Sequence, residues 1–137
     1  MTIFAPIHEC AFRNCKALTS VVIPESVTYL ATQLFSGCTA LKEVSLPDTM
    51  TQIRLGVFFG CTSLETITIP KSIELFGMDY IFVLGISRMS IDYPFFGCSA
   101  LKSIYMTQKV FDGIEERAKS KQGPVLDEDT KKLIVII

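Results

Sequence analysis

The sequence predicts a β-rich α/β fold: a solenoid of about five coils with a 23-residue period, closed at its C-terminal end by a helix-plus-strand cap. Three observations carry that prediction. Chemically matched residues return every 23 positions, each unit contains one strand-like apolar triplet, and the pattern gives way to helical spacing from Val110 onward. A repeat of this length reads as one supersecondary unit that buries its apolar face only by stacking on its neighbours.

The first element is a half-coil, because Phe4 and Ile7 align with Val27 and Leu30 of the next unit. Phe12, Phe35 and Phe58 then stand in one column, Cys15, Cys38 and Cys61 in a second, and Leu18, Leu41 and Leu64 in a third. Val21, Val44 and Ile67 continue the series, followed by Ile23, Leu46 and Ile69 and then by Pro24, Pro47 and Pro70. The Leu-x-x-Val-x-Ile stretch supplies a strand, and proline fits at its end because it has no N–H to give to a ladder. Stacked at about 4.7–4.9 Å, such strands make a parallel sheet whose equivalent side chains form columns through the core. Val27, Leu30, Leu34 and Phe35 suit a return arm made of a short strand and a tight helical turn.

The register breaks after Pro70, since Cys98 lies 37 residues beyond Cys61. Ile86, Met89 and Ile91 repeat the strand triplet, and Phe95, Gly97, Cys98, Leu101, Ile104 and Met106 restore the full pattern. Two readings stand: a shortened fourth coil followed by a regular fifth, or a 14-residue insertion between regular coils. Beyond it, Val110, Phe111, Ile114 and Ala118 recur at helical spacing with Thr107 as a cap and Gly123-Pro124 as the stop. Asp127, Glu128 and Asp129 read as a polar turn before the apolar strand Leu133–Ile137. The chain divides into a solenoid over 1–109, irregular over 77–94, and a cap over 110–137.

Phe-x-x-Cys joined to Leu-x-x-Val-x-Ile-Pro at this period resembles the BspA-like leucine-rich repeat family. The resemblance is carried by Phe12-Arg13-Asn14-Cys15, Phe35-Ser36-Gly37-Cys38, Phe58-Phe59-Gly60-Cys61 and Phe96-Gly97-Cys98 with the leucines that follow. It covers residues 7–76 and 95–106, and it implies a right-handed, curved solenoid with its main sheet on the concave side. It also implies a non-enzymatic adhesion or protein-binding role at a cell surface, with a host or extracellular-matrix protein as ligand. The N-terminus departs from that pattern, having neither a basic n-region nor a sustained apolar h-region.

Composition narrows the function classes. Thirteen Lys and Arg against fourteen Asp and Glu leave a net charge of −1, and there is no basic stripe, so no nucleic-acid or anionic-membrane partner is expected. The longest apolar runs, Tyr80–Ile86 and Leu133–Ile137, are far below the ~18–20 residues a bilayer span needs. Five cysteines cannot all pair within one molecule. The cysteine column would place ligands in a row rather than at tetrahedral corners, so it reads as a ladder of core thiols and not as a metal site. Cys10 with Cys15 is too loose a pair to add to it. His8 is the sole histidine and has no partner in the sequence for catalysis, and Gly37, Gly60 and Gly97 fit no phosphate loop. Neither an enzyme nor a bound cofactor is expected.

Function is expected on the positions that point away from the core. Glu43, Ser45, Thr66, Thr68, Arg88, Ser90, Lys102 and Tyr105 form the candidate protein-binding face, with Arg88 and Tyr105 as anchors because Arg and Tyr favour hot spots. Tyr80–Ile86 in the irregular coil is a second candidate surface. The rival expectation is a structural, terminal segment of a larger surface repeat protein, with homo-oligomer formation through the solenoid ends. A thiol redox protein is a more distant third.

Overall fold

The three-residue spacing of Phe, Cys and Leu has a backbone cause. The Cys38 N–H donates to the Phe35 carbonyl at 3.1 Å and the Leu41 N–H to the Cys38 carbonyl at 3.2 Å, two tight turns in succession. The same pair of bonds recurs at Phe12-Cys15-Leu18, Phe58-Cys61-Leu64 and Phe95-Cys98-Leu101. Each turn brings the next apolar side chain back to the same side, so Phe35, Cys38, Leu41, Phe58, Cys61 and Leu64 are wholly buried. A third turn follows each strand, where the carbonyls of Pro24, Pro47 and Pro70 accept from Val27, Met50 and Ile73.

The computed structural model describes residues 8–76, 94–119, 126 and 128–137. On one side lie β1 (Ser20–Val22), β3 (Glu43–Ser45), β5 (Thr66–Thr68), β7 (Ser103–Met106) and β8 (Ile134–Ile136). β1 pairs with β3, and β5, β7 and β8 form a three-stranded parallel sheet, with β3 packed beside β5. On the return side β2 (Tyr29–Leu30), β4 (Gln52–Ile53) and β6 (Leu75–Phe76) form a second parallel sheet. Partners in register, such as Val21 and Val44 or Leu30 and Ile53, are 23 residues apart.

β5 pairs directly with β7, Ile67 facing Ile104, and the Phe58 ring stacks on Phe95 at 5.5 Å. No strand is interleaved between these coils, so the arrangement matches the insertion and not an interposed fourth coil. The triplet Ile86, Met89 and Ile91, the Tyr80–Ile86 run, Phe4, Ile7 and Gly123-Pro124 lie outside the described residues.

Two left-handed backbone positions recur in the turns. Asn14, Gly37, Gly60 and Gly97 form one such column, with φ of 58°, 75°, 70° and 81°. Asparagine tolerates this region and glycine enters it freely. A side chain at Gly37 would collide with the Asn14 carboxamide of the preceding coil.

The C-terminal helix α1 (Gln108–Lys119) starts at Thr107, whose hydroxyl accepts the Val110 N–H at 3.4 Å, and it buries Val110 and Ile114. The expected polar turn is instead a short helix, α2 (Glu128–Lys131). Glu128 and Asp129 at its start and Lys131 at its end suit the helix dipole. Lys131 ties α2 to α1 by an ion pair to Glu115 at 3.2 Å, and pairs within α2 with Glu128 at 3.3 Å. Burial pulls the Lys131 pKa down, but bonding to these two carboxylates outweighs it and holds the ammonium above its usual value. β8 then adds to the edge of β7.

Candidate functional site: the outward strand face

Alternation along each three-residue strand decides which side chains face out. Val21 and Ile67 point inward, nearly fully buried, while their neighbours stand on the opposite surface. Register lines these neighbours up across strands. Ser20 faces Glu43 and Thr66 faces Ser103 in one row, and Val22 faces Ser45 in the next. That second row continues as Thr68, Tyr105 and Val135. The face is therefore a strip of hydroxyls between two exposed valines, Val22 at 49% and Val135 at 40%.

Of the residues singled out from the sequence, Glu43, Ser45, Thr66, Thr68 and Lys102 are exposed and Tyr105 is half-buried. Arg88 and Ser90 lie outside the described residues. Lys102 is not an isolated charge: its ammonium lies 3.2 Å from the Glu65 carboxylate, with both side chains mostly in solvent. Such a pair contributes little to stability, at most about 1 kcal/mol, and it leaves Glu43 as the one unneutralised charge among the described residues of the two rows.

The Phe and Cys columns belong to the hydrophobic core or pack against it. Phe12, Phe35, Phe58 and Phe95 stack in sequence at 5.5–5.9 Å, so Phe95 and not Phe96 continues the core spine. Phe96 instead stacks on Phe59 at 6.0 Å outside it. Each deeper thiol has a defined acceptor. Cys38 Sγ donates to the Phe12 carbonyl at 3.0 Å, Cys61 Sγ to Phe35 at 3.2 Å, and Cys98 Sγ to Phe58 at 3.0 Å. Burial raises the pKa of Cys38 and, more strongly, of Cys61, so both remain protonated thiols. A protonated, enclosed thiol is a poor nucleophile and a poor metal ligand. The five cysteines form no disulfide, and among the described residues no three His, Cys, Asp or Glu side chains come together as a metal site. His8 is exposed.

Sequence reasoning missed a second polar arrangement, on the return sheet. Arg54 lies over the Tyr29 ring with its guanidinium carbon 4.5 Å from the centroid. Gln52 Oε1 accepts from Arg54 Nε at 3.4 Å and from Nη2 at 3.5 Å. The available signal was that Tyr29 and Gln52 occupy the same place in successive units, beside the inward Leu30 and Ile53.

Residues 5–118 match the BspA type leucine-rich repeat region, in six copies. The chain belongs to that family. Proteins built on BspA-type repeats are often surface-associated and typically serve as non-enzymatic scaffolds for interaction. A leucine-rich repeat protein from Bacteroides capillosus is similar over 73% of this chain and 61% of its own, at 31% identity and a TM-score of 0.56. A leucine-rich cell surface protein from Faecalibacterium prausnitzii is similar over 83% of this chain at 29% identity, with a TM-score of 0.57. The BspA-type chain spans about three fifths of the first protein's length and 34% of the second's. Among curated proteins no similar sequence is found. Among the described residues no helix of this BspA-type chain is long and apolar enough to cross a membrane.

Proposed function

We propose that the chain is a non-enzymatic protein-recognition or adhesion module whose ligand lies across the outward strand face. The observation that carries this reading is the continuous row Thr68–Tyr105–Val135, next to Val22 and Ser45, which joins apolar contact area to hydroxyl donors and acceptors with little net charge. Surfaces of this make-up bind through shape and hydrogen bonds around aromatic anchors. The reading places Tyr105 at the centre of the contact, with Glu43, Ser45, Thr66, Thr68 and Lys102 around it. It takes the winding as right-handed with this sheet concave, residues 1–109 as the solenoid and 110–137 as its cap. A surface-exposed protein, of a host or of an extracellular matrix, is the expected ligand class.

A photo-crosslinking amino acid at Ser45 or Thr68, with the captured protein identified by mass spectrometry, tests the reading. The same protein is expected from both positions and not from Glu74 on the return side. Thr68→Arg and Tyr105→Ala are then expected to weaken binding of that purified protein by tenfold or more, about 1.4 kcal/mol. Unchanged affinity in both variants would refute the assignment of this face.

A second reading has its own support. Because the chain spans 61% and 34% of the two similar proteins, it also fits a structural segment of a larger surface repeat protein that stacks on further coils or on a second copy. Mass measured by light scattering across a hundredfold concentration range separates the two. A constant monomer favours the recognition module, and a growing series favours end-to-end stacking.

A further inference from the structure

Arg54 is held differently from the lysines that form ion pairs elsewhere in the fold. Lys102, Lys119, Lys131 and Lys132 each have a carboxylate within 4 Å. Among the described residues Arg54 has none, although it is half-buried and held at both ends. Its backbone N–H donates to the Leu30 carbonyl at 3.1 Å, which fixes the stem against β2. Its head group lies against Tyr29, itself 41% exposed, and Gln52 takes Nε and Nη2. A guanidinium has five N–H donors in one plane. Gln52 occupies the side-on edge, so the end-on edge formed by Nη1 and Nη2 keeps its donors. That edge matches the two oxygens of a carboxylate. Glu74, the acidic residue just before β6, donates its N–H to the Thr51 carbonyl at 2.8 Å and forms no ion pair with Arg54.

We propose that Arg54, stacked on Tyr29 and oriented by Gln52, is the anchor of a second recognition surface on the return sheet that takes an acidic segment of a partner protein. The Asp or Glu carboxylate docks end-on to the guanidinium, and the neighbouring part of the segment covers the exposed Tyr29 ring. Preorganisation is what makes a single arginine sufficient as an anchor. The fork is already oriented by Gln52, so little side-chain freedom remains to be lost on binding. This surface is on the opposite sheet from the hydroxyl strip, and it stands or falls independently of that strip's role.

The test is an NMR titration at low ionic strength that follows the Arg54 Nε–H and Tyr29 ring signals. The probes are the peptide acetyl-Glu-Asp-Glu-amide and its neutral counterpart acetyl-Gln-Asn-Gln-amide. A saturable shift at millimolar acidic peptide, absent with the neutral one, is expected. Arg54→Lys keeps the charge but loses the fork, so its affinity is expected to fall at least about fivefold. Gln52→Ala, which frees the head group, is expected to lower affinity with the Arg54 charge intact. Lys102→Gln on the other sheet is expected to leave it unchanged. Equal shifts with the neutral peptide, equal shifts at Arg13 and Arg54, undiminished binding in Arg54→Lys or the absence of saturation would each overturn the proposal.

Discussion

Truncating one ring of the phenylalanine spine tests the stacking logic of the whole fold. Phe35 is wholly buried and stacks on two rings, Phe12 at 5.7 Å and Phe58 at 5.9 Å. Phe12 is only partly buried and stacks on one. Removing a buried ring forfeits its transfer free energy and leaves a cavity between two coils, about 3–5 kcal/mol in all. A half-exposed ring with one stacking partner should forfeit roughly half of that. Phe35→Ala is thus expected to cost about 3–5 kcal/mol and Phe12→Ala about 1.5–2.5. Urea unfolding followed by far-ultraviolet circular dichroism reads both. With a slope of about 1–3 kcal/mol per molar urea, Phe35→Ala should shift the midpoint by more than 1 M. Equal midpoints for the two variants would refute the idea that burial between successive coils, and not the ring itself, supplies the stability.

Further outcomes follow from the turns, the thiols and the helix cap. Burial raises the folded-state pKa of Cys38 and Cys61 above the ordinary 9.0, so the unfolded chain ionises first as pH rises. Stability is then full below about pH 9 and declines above it, and the Cys38→Ala/Cys61→Ala double variant should show a shallower decline in urea midpoint between neutral pH and about pH 10. Gly37→Ala meets both a left-handed φ of 75° and the Asn14 carboxamide, whereas Gly60→Ala meets only the φ. Gly37→Ala should therefore cost about 1 kcal/mol or more and exceed Gly60→Ala by thermal melting. Adding Asn14→Gly should recover the excess. Thr107→Ala removes the hydroxyl that accepts the Val110 N–H and should cost about 1 kcal/mol, with accelerated amide exchange confined to the first turn of α1.

The inward side of this fold was legible from residue order alone. Phe, Cys and Leu repeat because every coil must present the same shape to its neighbour, and two successive tight turns fix their three-residue spacing. The start of α1 at Thr107 was legible for a similar reason, since a cap and a helical apolar stripe are local. Pairing of β5 with β7 was not, because periodicity predicts a partner 23 residues away and is silent about which of two candidates stacks after a break. The thiol-to-carbonyl bonds were also hidden, since the acceptor is backbone and any residue at the Phe position would offer it. Outward residues carry no periodic constraint at all. Residue order therefore points to arginine and tyrosine on the strand face, at Arg88 and Tyr105, while a preset pair of the same types, Tyr29 and Arg54, stands on the return sheet.

The direct pairing of β5 with β7 makes the joint between these two strands a seam in the architecture. Stacking across it satisfies the same kind of ladder, with Ile69 donating to the Tyr105 carbonyl at 2.8 Å, as stacking between coils of regular length. Closing a connection of twice the length costs only about 0.6 kcal/mol more, a small sum beside the expected loss from one spine phenylalanine. Two coils separated by 37 residues thus fit as those 23 apart do. A coil in this molecule recognises its neighbour by matching strand and spine, and not by its distance along the chain.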